Sequence, residues 1–277
     1  MFLIPLRQNI CLVMSKYLTI VHAKNEGNGI ELIDTTPQEI ADLIATGQVV
    51  IVKGAMTPDR LVALRNELFD WSLRTPVVTK DDFRTNRHRH RAQTASALKT
   101  PQVMHDFVFS DMYNMEEPLR GMLLEHFEPL RDFYAKLTGN DVPFGVHDGP
   151  YFHPGIMHYP EGGGFFGNHI HNLEPQKVGV VVSMSQLGVD FESGATMVVV
   201  NGEVVNSEGY QDLGDMLLFR YDLEHWVSQS NLRHRFSWES PKGRWTMLLP
   251  FYDPINGHVI HWEDFDNKAK EQATAAV

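Results

Sequence analysis

From Asn140 onward the chain breaks into short runs rich in Val, Phe, Tyr and Met. These are Tyr151-Phe152, Ile156 to Tyr159, Val178 to Met184, Thr196 to Val200, Met216 to Tyr221 and Trp245 to Phe251, with Gly, Pro and Asn between them. Runs this short, separated this regularly by turn residues, can bury their apolar side chains only as strands of an antiparallel sandwich or barrel. Upstream the texture is helical. The expected fold class is therefore mainly β with flanking helices (α+β). The simplest division is one domain over 1–277, with a leader and lead-in segment over 1–30, a mostly helical flank over 31–140, the β core over 141–255 and a polar tail over 256–277.

The flank carries three helix signals. Thr36-Pro-Gln-Glu39 is a capping box with proline at the first helical position, followed by the apolar stripe Ile40, Leu43, Ile44 and a stop at Gly47. Val49 to Val52 reads as a short buried strand. Thr57-Pro58 is expected to cap a second helix with Leu61, Leu64, Leu68 and Trp71 on one face. A third spans Glu116 to Leu137, with Leu119, Met122, Leu123, Phe127, Leu130 and Phe133 on one side. Between the last two, Asp81 to Thr100 crowds Arg84, Arg87, His88, Arg89, His90 and Arg91 into a stretch with little apolar periodicity. It reads as a loop. Either it is a solvated loop paired to nearby acids, or it is a substrate-facing loop or lid in which Arg87 and Arg91 meet an anionic substrate.

The formal charge of −11 excludes a global electrostatic hold on nucleic acid. The one cysteine, Cys11, allows no internal disulfide and no cysteine zinc site, in keeping with a reducing, cytoplasmic location. No apolar run approaches a membrane span, and the apolar start lacks a small-residue cleavage site. Met14 is a second candidate start. The partner expected is a small molecule, with neither nucleic acid nor membrane.

The chemistry concentrates in His158-Tyr-Pro-Glu-Gly-Gly-Gly-Phe-Phe-Gly-Asn-His169-Ile-His171-Asn-Leu-Glu174. On a strand, residues i and i+2 share a face, so His169 and His171 can aim both imidazoles at one point. Taken alone, such a pair is as readily a hydrogen-bonded surface feature. Further along, Gly214-Asp215 turns into an apolar strand that leads to His225. Three imidazoles from two strands could occupy one face of an octahedral ion and leave the opposite positions open. An open-sided nitrogen/oxygen site without thiolate suits Fe(II). Arg244 and Thr246 again share one strand face, and a guanidinium fork beside a hydroxyl suits a terminal carboxylate.

The ordered set of HxH, a glycine turn and strand with a distal His, then Arg-x-Thr resembles the Fe(II)- and 2-oxoglutarate-dependent dioxygenases, most nearly the phytanoyl-CoA-hydroxylase-like branch. Glu192-Ser-Gly194-Ala-Thr-Met197 is similar to that family's glycine turn before a core strand. The resemblance runs from about Val49 to Phe251. It implies a double-stranded β-helix (jelly roll, cupin-like) core. It also implies His169 and His225 as Fe(II) ligands, Arg244 and Thr246 on the far carboxylate of 2-oxoglutarate, and Tyr159 as a further hydrogen bond to that co-substrate. The implied reaction consumes O2 and 2-oxoglutarate, releases succinate and CO2, and hydroxylates an unactivated C–H bond of a small polar or anionic molecule. No catalytic residue beyond the metal centre is implied.

At position 171 the family pattern has Asp or Glu, and here it is histidine. Three alternatives follow: His171 is the third ligand, Glu174 swings in as the carboxylate ligand, or two protein ligands suffice. Asn168 and Trp226 flank the ligands and are candidates to support them. His153 and His158 could face the cavity or be structural. His234 is expected to be exposed, and His258 and His261 to play no metal role. Two other functions stay open. One is a cupin-like three-histidine dioxygenase that does not use 2-oxoglutarate; the other is a non-enzymatic jelly-roll binding protein.

Overall fold

The structure is a computed structural model and describes residues 15–25, 29–79, 85–94, 100–146 and 148–254. Cys11, Met14, Arg84, His258, His261 and the polar tail lie outside the described residues.

The chain begins with β1 (Leu18–Lys24), β2 (Glu31–Leu32), α1 (Pro37–Ala45), β3 (Val49–Lys53) and α2 (Pro58–Arg74). There follow β4 (Arg87–Gln93), β5 (Gln102–Val108) and α3 (Leu119–Thr138). The core strands are β6 (Tyr151–Phe152), β7 (Gly155–Pro160), β8 (Gly164–His169), β9 (Val178–Ser183), β10 (Thr196–Val200) and β11 (Glu203–Asn206). The series ends with β12 (Met216–Arg220), β13 (His225–Ser230), β14 (Gly243–Leu248) and β15 (Phe251–Tyr252). Each apolar run read from the sequence contains a strand, and Trp245 to Phe251 divides at Leu249-Pro250 between β14 and β15, which belong to different sheets.

One continuous ladder runs β11-β10-β13-β8-β5-β7-β14-β9-β12-β3-β1-β2, with β4 added on β5. The joint is β5. Its first half pairs with β8, through Gln102 and Val103 opposite Phe166 and Phe165. Its second half pairs with β7, through His105 to Val108. The ladder thus folds over into two facing layers, and side chains from β7 to β10 and β12 to β14 line one cavity between them. This is a jelly roll with helical flanks. The helices cover the outer face of the larger layer. Phe69 of α2 and Leu123, Phe127 and Leu130 of α3 belong to one buried cluster with Val182, Met216, Trp245 and Met247.

The capping box of α1 forms as expected: the Glu39 amide donates to Thr36 Oγ1 (3.2 Å) and the Thr36 amide to Glu39 Oε2 (2.8 Å). Thr57 occupies the N-cap position of α2 but makes no side-chain cap; its hydroxyl donates to Asn25 O at 3.3 Å. The third helix begins at Leu119, after Pro118, rather than at Glu116.

The larger correction concerns the basic segment. Arg87 to Gln93 is a strand, not a loop or lid, paired residue for residue with β5. Its alternation escapes an apolar-periodicity reading because both of its faces are polar. His88 and His90 point with Phe107 toward the helical layer, whereas Arg89 and Arg91 meet Asp106 on the cavity side, at 2.6 and 2.9 Å.

Two glycines set the shape near the site. Gly162 turns β7 into β8 at φ 85°, and a Cβ there would lie 2.5 Å from the Phe236 amide. Gly179 on β9 leaves room for the Phe219 ring, whose Cζ would be 2.6 Å from an added Cβ. Phe219 in turn lies 4.8 Å from the His225 ring. Gly179→Ala is therefore expected to overpack this point, costing about 1–3 kcal/mol. Denaturant unfolding would measure the loss, and an unchanged midpoint would show that Phe219 relaxes freely.

Candidate metal centre

His169 ends β8 and His225 begins β13, and the two are direct cross-strand partners. Directly opposed residues share a face, so the pairing puts their rings together, with centroids 4.2 Å apart. Each ring is fixed by its own chain: His169 Nδ1 donates to Gly167 O (2.8 Å) and His225 Nδ1 to Leu223 O (2.7 Å). A carbonyl can only accept, so Nδ1 carries the hydrogen and Nε2 keeps its lone pair.

His171 lies just past the end of β8, so strand alternation alone does not aim it. Its ring stacks on Tyr221 at 4.1 Å with an interplanar angle of 3°. From there it reaches His169 (4.9 Å between centroids) and His225 (5.2 Å). One ligand atom from each of the three lies within 4.8 Å of the others. Glu174 is exposed and lines the cavity, but does not belong to this group. Tyr221, immediately after β12, was not singled out in the sequence; its aromatic character at a strand end was the available signal.

The three histidines line a cavity of about 200 Å³. Its apolar walls include Phe166, Val181, Phe219, Val227 and Leu248, and its polar groups include Arg91, Tyr159, Thr196, Thr246 and Tyr252. On the wall opposite the histidines, β14 carries Arg244 and Thr246. Arg244 is 2% exposed, and its Nη2 donates to Thr196 Oγ1 at 2.8 Å. Its guanidinium lies behind Thr196, beside a small void that Ser207 and Glu208 also line, and is 5.9 Å from the Tyr159 ring centre. Arg244 Nη1 is buried without a hydrogen-bond partner, and the Thr246 hydroxyl lies beside that of Tyr159. Burial lowers the Arg244 pKa to about 10 and raises the Tyr159 hydroxyl to about 12. Both residues keep the charge state they have in water at neutral pH.

The remaining candidates fall elsewhere. Arg91 lines the cavity, held by Asp106 and by Gln102 Oε1 (3.3 Å). Arg87 does not line it: the side chain is 2% exposed and donates to Thr85 O and Ser110 Oγ. Asn168 is exposed and donates to Glu224, and Trp226 alternates away from the cavity on β13. His158 faces the helical layer, stacked on Trp245 at 4.1 Å and donating to Lys242 O. His153 is hydrogen-bonded to Ser110 Oγ. His234 is exposed beside Glu161 and Glu192.

Burial depresses the pKa of His169 to about 3 and of His225 to about 4, and holds His171 well below its ordinary value. His158, to about 3, and His153, to about 4, share the cause. The unfolded chain binds protons on these rings near pH 6.5 and the folded chain does not. Their stabilising contribution is thus complete above pH 6.5 and is lost as pH falls from there toward 4. Each such ring costs on the order of 1–2 kcal/mol by pH 5.5. Metal-free protein is expected to lose denaturant stability steeply between pH 7 and 5.5, and a flat profile over that range would contradict the buried, neutral assignment.

No protein-family model matches the chain, and no curated protein matches it in sequence. Solved structures match it in fold. A prolyl-4-hydroxylase from Pseudomonas putida superposes with a TM-score of 0.50 at 13% identity, covering 78% of this chain and 97% of that one. A Shewanella oneidensis protein designated an oxygenase gives 0.53 at 8% identity, covering 94% and 99%. At such identities the likeness is one of architecture alone: the chain shares its fold with these two proteins.

Proposed function

We propose that the chain is a non-haem Fe(II)- and 2-oxoglutarate-dependent oxygenase of the phytanoyl-CoA-hydroxylase-like branch, hydroxylating a small polar or anionic molecule. The observation that carries this reading is the complementarity of two walls of the jelly roll. One presents three neutral imidazoles that converge at the cavity. The other carries the Tyr159 and Thr246 hydroxyls and, directly behind Thr196, a buried guanidinium with an unused donor. Leaving such a donor unpaired costs free energy that a bound carboxylate would recover. The residues present therefore fit both an Fe(II) ion and a dicarboxylate.

His169, His171 and His225 would hold the metal; Arg244, with Thr246 and Tyr159, would hold the co-substrate's distal carboxylate. Iron with 2-oxoglutarate and O2 supplies the oxidising power for C–H hydroxylation when bound. The chain itself positions and shields. The carbonyls of Gly167 and Leu223 fix two ligand tautomers, and Tyr221 orients the third ring. Phe166, Val181, Phe219 and Leu248 keep the space between the walls apolar. Arg91 offers a cation at the cavity for an anionic substrate. Three imidazoles in place of two and a carboxylate leave the metal site one unit more positive, which favours an anionic co-substrate.

The cupin-like alternative needs the histidines but has no use for Arg244, and a binding module needs neither. Anaerobic Fe(II) with 2-oxoglutarate is expected to give a visible charge-transfer band, and turnover to release succinate. Arg244→Met should leave Fe(II) binding intact and weaken 2-oxoglutarate roughly 10–100-fold, the worth of a charge-assisted hydrogen-bonded pair. Metal binding with no response to 2-oxoglutarate would favour the cupin-like reading, and absence of metal would exclude both. For the ligand set, His171→Ala is expected to abolish tight Fe(II) binding while Glu174→Ala leaves it unchanged. The reverse result would make Glu174 the ligand.

A further inference from the structure

On the far side of the strands that face the cavity lies a second cluster of imidazoles, from His88 and His90 of β4 and His105 of β5. We propose that these three residues form a second divalent-metal site, taking a borderline ion of the Zn2+ class through three ring nitrogens. The proposal is independent of the oxygenase reading and uses none of its residues.

One ligand atom from each ring lies within 4.8 Å of the other two. The hydrogen-bond pattern narrows the choice further. His88 Nε2 is 2.8 Å from Thr75 O and must carry the hydrogen, because a carbonyl only accepts. His88 Nδ1 is therefore a bare lone pair, and it faces His105 Nε2 at 2.8 Å. If His105 Nε2 is the protonated nitrogen, it donates to His88, and His105 Nδ1 is left as a buried acceptor with no partner. If it is not, two lone pairs meet head-on. A cation between the rings resolves the second arrangement, with Nε2 of His105 and Nδ1 of His88 as ligands. Two imidazole nitrogens on one Zn2+ sit about 3.3 Å apart at bond lengths of about 2.0–2.1 Å, so a shift of about half an ångström admits the ion.

The third ligand completes the set. The His90 ring lies 4.6 Å from that of His105 and 6.3 Å from that of His88. Its outer face is covered by Trp238, stacked at 4.3 Å with an angle of 4°. His90 and Trp238 are both half-buried. Trp71 and Phe107 close the inner side against His88, at 5.4 and 5.9 Å. Burial lowers the pKa of all three rings, and neighbouring imidazoles lower His90 and His105 further, which favours the neutral form that binds metal. An all-nitrogen, three-ligand set without thiolate suits Zn2+ with water in the fourth position. A bound ion would bridge β4 and β5.

The test uses chelator-treated full-length protein loaded with Zn2+, desalted and analysed for metal, with circular dichroism to confirm folding. The wild type is expected to retain two equivalents. His90→Phe, which keeps the stack on Trp238, should retain one, and His169→Ala/His225→Ala should also retain one. Combining all three substitutions should leave none. A second measurement does not depend on the first site: Ni2+ should quench the fluorescence of His169→Ala/His225→Ala, through Trp71 and Trp238 beside the proposed ion, and adding His90→Phe should remove that quenching. Loss of all metal in folded His169→Ala/His225→Ala would overturn the proposal, as would two equivalents retained by His90→Phe.

Discussion

The site rests on one cross-strand pair. His169 and His225 face each other because β8 and β13 are paired in that register, and a slip of one residue would turn both rings out of the cavity. Register alone would place two imidazoles without orienting them. Orientation comes from Nδ1 hydrogen bonds to the carbonyls two residues earlier in each chain segment, which leave both Nε2 lone pairs directed away from the backbone. His171 depends on the pair in a different way. Beyond the strand end it has no ladder to hold it, and the coplanar stack on Tyr221 takes that role. Three elements thus define the centre, and none of the three rings relies on a long flexible side chain for its position.

The opposite wall is held by a different physics. Burying a charge is expensive unless it is paired, so the treatment of each buried arginine is informative. Arg65 is buried and has a carboxylate, Asp190 at 2.8 Å, as well as the Met184 carbonyl. Arg244 is more deeply buried, and its hydrogen bond goes to a neutral hydroxyl, that of Thr196. Glu208 acts on it only at longer range. Arg244 thus keeps an unused donor, Nη1, on the face of β14 that it shares with Thr246. Arg87, equally buried, likewise donates to neutral oxygens, those of Thr85 and Ser110, so a neutral partner alone does not single out Arg244.

Much of this was legible in the sequence because period two is a strong signal when one face is apolar. The apolar core strands and the shared face of Arg244 and Thr246 follow from alternation within short runs, whereas the pairing of His169 with His225 was indicated by the family resemblance. What escaped was structure set by partners rather than by local pattern. The side of His171 is decided by Tyr221, distant in sequence. Thr57 sits where a cap belongs, yet its hydroxyl is taken by the Asn25 carbonyl. Arg87 and Arg91, two turns of the same alternation, part company because Ser110 captures one while the other reaches the cavity.

The strand β4 shows why composition misleads there. Arg-His-Arg-His-Arg in an acidic chain reads as a solvated loop, since neither of its faces is hydrophobic. In the fold, both faces are buried or half-buried, and each polar side chain is answered by something from another element: Asp106 for Arg89 and Arg91, and the Thr75 carbonyl and Trp238 for His88 and His90. A two-faced polar strand of this kind gains little from hydrophobic burial. Its place on β5 is held by seven consecutive paired positions and by the completeness of its side-chain partners. Because alternate residues on one rigid backbone serve the two faces, the imidazole cluster on one side and the arginine at the cavity on the other cannot move independently. The segment that looked least structured thus touches both the helical layer and the cavity wall, as β7 and β14 do.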